Sequence, residues 1–203
     1  MSALLPVYAL CRHRIDRDGS GVVTLVAVNG CPLRCKFCLN PTARDGTADA
    51  RLYTPEALYA ALAIDDLYFQ ATNGGVTFGG GEPLMHADFL RAFLRLVNGR
   101  WRVRAETSLH VPPENAVLPL DEYIVDIKDM NPVLYRAYTG GNAALAHENL
   151  AAVLRAGGSD RVLARVPLIP DFNTEADVQK SIEALRAMGV TRVDPFRYLR
   201  KEA

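Results

Sequence analysis

Little in this chain offers a covalent, electrostatic or membrane handle. Four cysteines in 203 residues are too few for a disulfide-stapled secreted scaffold. Neither sign of charge is in excess: 23 basic and 23 acidic side chains give a formal net charge of zero. A nucleic-acid partner therefore has no electrostatic basis in the composition. No apolar run approaches the roughly 20 residues that a membrane-spanning helix needs, so no membrane role is expected. The opening MSALLPVYALCRHR has no basic segment before its short apolar stretch, and reads as a strand rather than a signal peptide. Repeats, low-complexity tracts and linkers are missing too. What remains is a cytoplasmic protein in a reducing compartment. There, a tight cysteine group is metal-binding or redox-active rather than structural.

What is present is ordinary globular material. About half the residues, 49%, are apolar, too many for disorder. The length favours a single domain, 1–203. Strand-like and helical runs alternate along it. Val22–Val28 is β-branched and almost continuously apolar, as a buried parallel strand should be. Thr54 caps a helix with Pro55 at its first position. Gly75–Phe78 forms the next strand, and 86–97 is an amphipathic helix with Phe89, Leu90, Phe93, Leu94 and Val97 on one side. Strands follow at 101–107 and 123–127. A helix at 145–156 closes on Gly157-Gly158, and another strand covers 161–169. Thr174 caps a helix at 175–188, and a last short strand covers 190–193. Tyr68-Phe69 and Phe89/Phe93 have the spacing of core positions. Cys11 reads as a half-buried strand cysteine, and the four histidines as surface or capping residues.

Six strands alternating with helices mean parallel strands and right-handed crossovers. The fold class is α/β, an open or partial barrel or a doubly wound sheet. Either gathers function at the C-terminal strand ends. The chemistry-bearing residues do fall there. The cysteine loop follows the first of these strands, and Gly79-Gly80-Gly81-Glu82 the second. Glu106-Thr107 follows the third, Asp126 and Lys128 the fourth. Arg165 lies in the fifth, and Arg197 follows the sixth.

Cys31-Pro-Leu-Arg-Cys35-Lys-Phe-Cys38 spaces three thiolates as C-x3-C-x2-C on one loop. Thiolates suit zinc or an iron–sulfur cluster. Structural zinc wants four closed ligands, commonly as two separated pairs, and here no cysteine lies downstream. Three ligands on a four-iron cluster leave one iron open to a substrate or cofactor. The glycine run at 79–81 lets a ligand approach the backbone, and the Glu82 carboxylate accepts from an ammonium group.

With Phe37 before the third cysteine, the pattern resembles the radical S-adenosylmethionine (SAM) superfamily. The resemblance implies a partial (β/α)6 barrel in which Cys31, Cys35 and Cys38 hold a [4Fe–4S] cluster. SAM would chelate the open iron, and its reductive cleavage would yield a 5′-deoxyadenosyl radical. Gly79, Gly80, Gly81 and Glu82 then resemble the family's GGE motif, which binds the SAM amino group. Further segments narrow the likeness to the activating enzymes of glycyl radical enzymes, the pyruvate formate-lyase activase type. Asp126-Ile-Lys128 resembles their DxK segment. Arg165-Val-Pro-Leu-Ile-Pro170-Asp-Phe-Asn173 resembles their R-x-P-x-I-P-G-F-N stretch. Asp18-Gly-Ser-Gly21 is similar to their DGPG turn, and Asn29-Gly30-Cys31 to their (Q/K)GC.

Carried over, the likeness implies SAM contacts from Phe37, Glu106, Asp126, Lys128, Arg165 and Arg197. It also implies a monovalent cation among Glu106, Thr107 and Asp126, where hard oxygen ligands suit a hard cation. Arg197 stands where activases carry histidine, and Asp171 where they often carry glycine. The implied partners are a glycyl radical enzyme and a flavodoxin or ferredoxin as electron donor, under anaerobic conditions. Two other functions compete: a radical SAM enzyme modifying a peptide or small molecule, and a non-catalytic iron–sulfur or zinc electron-transfer module.

Overall fold

The computed structural model describes residues 3–15 and 18–198, so the expected domain of 1–203 runs at both ends outside the described residues. In chain order the elements are β1 (Leu5–Ile15), β2 (Val22–Val28), α1 (Pro41–Arg44), β3 (Arg51–Tyr53), α2 (Pro55–Leu62), α3 (Asp66–Thr72), β4 (Gly75–Gly80) and α4 (Ala87–Val97). There follow β5 (Arg102–Thr107), α5 (Pro113–Ala116), β6 (Glu122–Asp126), α6 (Pro132–Thr139), α7 (Ala143–Gly157), β7 (Val162–Leu168), α8 (Glu175–Ala187) and β8 (Arg192–Arg197). The residues group into two compact units. One comprises Met1–Cys31, Asn40–Thr107 and Leu118–Tyr123; the other comprises Pro32–Leu39, Ser108–Val117 and Ile124–Ala203.

In the first unit the strands run in the order β3-β1-β2-β4-β5. β1 is antiparallel to both neighbours, while β2, β4 and β5 are parallel. Val23, Val26, Val28, Val76, Phe78, Val103 and Ala105 are all buried. That burial explains why β2 is apolar along nearly its whole length rather than alternating. α4 lays Phe89, Leu90, Phe93 and Val97 against this sheet, and Phe93 meets Phe78 edge-on at 5.3 Å. The turn at 18–21 lies against the opposite, polar face. The Thr77 hydroxyl donates to the Asp18 carbonyl at 2.5 Å, Arg14 Nη2 donates to the Asp18 carboxylate at 3.0 Å, and Arg104 Nη2 donates to Ser20 Oγ at 3.0 Å. Gly21, at φ +76°, has no room for a Cβ, which would sit 2.5 Å from the Thr72 carbonyl.

In the second unit β7 and β8 pair in parallel, Arg165 opposite Asp194. Ile127, just past β6, donates its N–H to the Arg165 carbonyl at 2.9 Å. α7 buries Asn149, whose amide donates to the Leu109 and Val111 carbonyls at 2.8 Å each. Those two bonds hold the loop before α5 in place. α8 begins with a capping box, in which Thr174 and Asp177 each satisfy the other's backbone N–H.

The six strands expected from the sequence are β2 and β4–β8, of which β2, β4 and β5 pair in parallel, as do β7 and β8, and the N-terminal strand is β1. Several details differ. β8 runs to Arg197 rather than stopping at 193, because an edge strand tolerates Pro195 where a central one would not. β3, only three residues long, has too short a pattern to read. α6 had legible end signals, with Asn131 capping Pro132 and Gly140 in the left-handed conformation, but its apolar face is narrow. Tyr68 is exposed while Phe69, Phe89 and Phe93 are buried, so only the last three are core. Replacing Thr174 with alanine removes the cap acceptor; urea unfolding should report a loss of about 1 kcal/mol.

Candidate functional site

In the first unit the site grows from the ends of β2 and β4. After Val28 the chain turns through Gly30 at φ +93°, a conformation open to glycine. The Gly30 and Cys31 N–H groups donate to the Ala43 and Arg44 carbonyls at 2.7 and 3.1 Å, tying the start of the cysteine loop to α1. Gly81 and Glu82 donate to the Val28 and Gly30 carbonyls at 2.9 and 2.7 Å. The β2–β4 ladder is thereby extended into the loop. A Cβ on Gly81 would lie 2.3 Å from the Gly30 oxygen, and one on Gly79 would lie 2.8 Å from Glu106 Oε2. At Gly81 the neighbour is backbone and only glycine permits the approach, whereas at Gly79 it is the tip of the Glu106 side chain.

Glu82 is 1% exposed. Its Oε1 accepts from the Thr107 hydroxyl at 2.7 Å and from the Leu84 N–H at 3.2 Å. A buried carboxylate needs such donors. The fold thus brings Gly79, Gly80, Gly81, Glu82, Glu106 and Thr107 together at neighbouring strand ends. Three residues not foreseen from the sequence flank them. Tyr8 lies against Gly80, its hydroxyl 2.6 Å from where a Cβ would be. Asn40 donates to the Gly80 carbonyl at 3.3 Å, and His86 Nε2 lies 3.3 Å from the Asn29 carbonyl. Burial holds the His86 pKa below its ordinary value, only partly offset by that carbonyl. His86 is therefore a half-buried neutral imidazole rather than a surface residue.

In the second unit Cys35 and Cys38 are half-buried on a loop laid along the end of α6. Arg34 and Lys36 donate their N–H groups to the Thr139 and Tyr138 carbonyls at 2.8 and 3.1 Å. Phe37 packs edge-on against Phe172 and Tyr138 at 5.6 and 6.1 Å. Its place is therefore aromatic packing beneath the loop. Lys128 donates to Asp126 Oδ2 at 2.7 Å. Burial raises the Cys35 thiol pKa, and the Lys128 charge pulls it back. Burial is the largest influence on Lys128 and pulls its pKa down, but Asp126 and Cys35 together outweigh it and hold the pKa above the ordinary lysine value. Asp126 Oδ1 is buried and accepts no hydrogen bond from the described residues.

Arg165 lies 3.6 Å from Asp194 and stacks over Phe196 at 4.6 Å. Arg197 is exposed and turned to Glu175 at 3.7 Å, apart from Arg165. Among the described residues no three His, Cys, Asp or Glu side chains surround a point fit for a single metal ion. Cys11 lies on β1 opposite Leu25 and is half-buried. No helix is long and apolar enough to cross a membrane among the described residues.

Comparison with known proteins turns this arrangement into a class. Residues 25–185 match the Radical SAM superfamily. The chain is 28% identical to the pyruvate formate-lyase 2-activating enzyme of Escherichia coli (strain K12), covering 92% of this chain and 75% of the relative. It is 30% identical to the pyruvate formate-lyase-activating enzyme of Clostridium pasteurianum, covering 83% and 69%. Among solved structures it resembles Streptococcus suis SuiB with a TM-score of 0.65 at 14% identity, covering 89% of this chain. That likeness shows the α/β fold alone, since the chain spans about two fifths (40%) of SuiB's length. The chain belongs to the radical SAM superfamily and is a radical SAM enzyme, with a [4Fe–4S] cluster and SAM as its cofactors.

The residues present suit those groups. The cysteine thiols are soft donors, Gly80 and Gly81 are half-buried rather than closed off, and Asp126 Oδ1 is a buried acceptor with no donor among the described residues. Glu82→Gln keeps an acceptor for Thr107 and Leu84 but removes the charge. Its apoprotein should unfold within about 1 kcal/mol of the parent, while equilibrium dialysis should show SAM binding weakened at least tenfold.

Proposed function

We propose that this chain activates a glycyl radical enzyme by removing a hydrogen atom from a backbone glycine of that partner. The observation that carries the reading is the 28% identity to a pyruvate formate-lyase 2-activating enzyme over 92% of the chain. It is supported by further relatives named as activating enzymes, including one for indoleacetate decarboxylase. The family match spans residues of both compact units, which supports treating 1–203 as one radical SAM domain. A flavodoxin or ferredoxin is the proposed reductant, and an anaerobic cytoplasm the proposed setting.

In this reading Cys31, Cys35 and Cys38 hold the cluster. Bound together, cluster and SAM supply a 5′-deoxyadenosyl radical able to take a hydrogen atom from carbon. The chain's own residues supply placement. The glycine loop presents backbone at Gly80 and Gly81, with the Glu82 charge behind it, to the SAM ammonium group. Asp126 Oδ1 offers a second acceptor, and Lys128, kept protonated, faces a carboxylate. Arg165 is held by Asp194 and Phe196 to meet a further anionic or polar group. The orientation of Arg197 toward Glu175 favours leaving it out of the SAM contacts. A monovalent cation beside Glu106, Thr107 and Asp126 stays part of the proposal.

Anaerobic reconstitution tests the whole. Iron and sulfide should approach the ratio of one [4Fe–4S] cluster per chain. Dithionite and SAM should then yield 5′-deoxyadenosine, and each of Cys31→Ala, Cys35→Ala and Cys38→Ala should abolish it. Incubation with glycyl radical enzymes from the same genome should give a glycyl doublet by electron paramagnetic resonance. A modified peptide or metabolite appearing in its place would sink the activase reading while keeping the radical chemistry. Absence of SAM cleavage would leave only an electron-transfer module.

A further inference from the structure

Side chains alternate along β8, so Asp194, Phe196 and Tyr198 share the face of Arg165 while Arg197 takes the other. Arg197 is spent on Glu175 at the start of α8. Tyr198 continues the β7 pairing, its N–H donating to the Leu168 carbonyl at 3.0 Å. Its side chain is half-buried and reaches the cysteine loop, where the hydroxyl donates to the Phe37 carbonyl. That carbonyl lies between Cys35 and Cys38. Tyr138 and Tyr198 interact through their hydroxyls, so a buried and a half-buried phenol form a chain ending on the loop backbone. Bonds in such a chain polarise and strengthen one another.

Further contacts of the loop reach α6, the turn after β7 and the loop itself: Arg34 and Lys36 onto Thr139 and Tyr138, Phe37 against Phe172, and the Cys38 N–H onto the Cys35 carbonyl at 3.3 Å. Tyr198 is the tether that ties it to β8. Its position, one residue past the Arg197 that stands in the histidine place, hid it from a motif reading.

We infer that Tyr198 is the positioning residue by which β8 holds the Cys35–Cys38 segment ready for its cluster, a role Arg197 does not share. The inference rests on the proposal that these cysteines hold a [4Fe–4S] cluster. Losing the hydroxyl removes the bond that joins the Phe37 carbonyl to Tyr198 and loosens the loop's hold on β8. The dipole of the O–H also points its positive end toward the loop, so its loss disfavours the reduced cluster.

The test compares Tyr198→Phe, Tyr138→Phe and Arg197→Ala with the parent after anaerobic reconstitution. Tyr198→Phe should lose iron to a chelator about five- to tenfold faster. It should hold a smaller reduced fraction at a fixed poise and shift the resonance signature of the reduced cluster. Tyr138→Phe should lie between it and the parent, and Arg197→Ala should match the parent. A Tyr198→Phe protein with parental iron loss and parental spectrum would overturn the inference. So would Arg197→Ala matching Tyr198→Phe in both. If Tyr198→Phe does not fold, Tyr138→Phe decides, since a parental iron-loss rate there denies the relay. If the parent takes up no cluster, the radical SAM assignment of the cysteines fails by itself. A 13C label on the Phe37 carbonyl of the apoprotein then still reads the contact, and an unmoved shift in Tyr198→Phe would deny it.

Discussion

The backbone approach at the ends of β2 and β4 is the constraint on which the first unit's chemistry depends. Gly81 and Glu82 continue a parallel ladder past the last strand residues by bonding to Val28 and Gly30. Parallel pairing places both strand ends on the same side, which is why the cysteine-bearing turn and the glycine loop leave the sheet as neighbours. The ladder is possible only without side chains, because a Cβ on Gly81 would overlap the Gly30 oxygen at 2.3 Å. Everything polar nearby is arranged around that contact. Glu82 is buried directly after it and must be met by Thr107 and Leu84. Glu106 occupies the space above Gly79.

The second unit solves a different problem, the burial of charge. Lys128, its side chain 12% exposed, pairs with Asp126 at 2.7 Å beneath the cysteine loop, and its charge would be costly alone. Asp129, one residue on, is 3% exposed and is met by the Asn131 N–H, the Asn173 amide and the Ser181 hydroxyl. Through Asn173, which also bonds Ile169 and Pro167, the segment after β6 is fastened to the turn after β7, and through Ser181 to α8. The motif-like strings 126–131 and 165–173 are thus one hydrogen-bonded network. Their value as a signature lies partly in this scaffolding, since Asp129 and Asn173 touch each other rather than any reacting group.

Much of this was legible beforehand, for reasons that can be named. β2 reads as a strand because both faces are buried, and α8 because Thr174 and Asp177 write its cap in the sequence. The glycine run and the cysteine spacing were visible because each restricts residue type at fixed intervals. Tyr8, Asn40, Tyr138 and Tyr198 were not visible. They are ordinary residue types, and what makes them site residues is a partner 40 or more positions away, such as Gly80 for Tyr8 and Asn40, or Phe37 for Tyr198. Arg197 shows the converse. Its place after β8 matched a motif position, yet strand alternation turns it to Glu175.

The sequence by itself determined the class of chemistry, because thiolate spacing and backbone-only approach are local properties that few residue types can satisfy. It also determined the alternation of parallel strands and helices, because burial on both faces leaves a local trace in hydrophobicity. Tertiary structure alone decided which side chains are satisfied and which remain available. Glu82 is met by Thr107, Asp126 keeps one bare oxygen, and Tyr198 rather than Arg197 reaches the cysteine loop. A hydrogen bond depends on distance and direction in space, and those are set by packing between segments that the chain order keeps far apart.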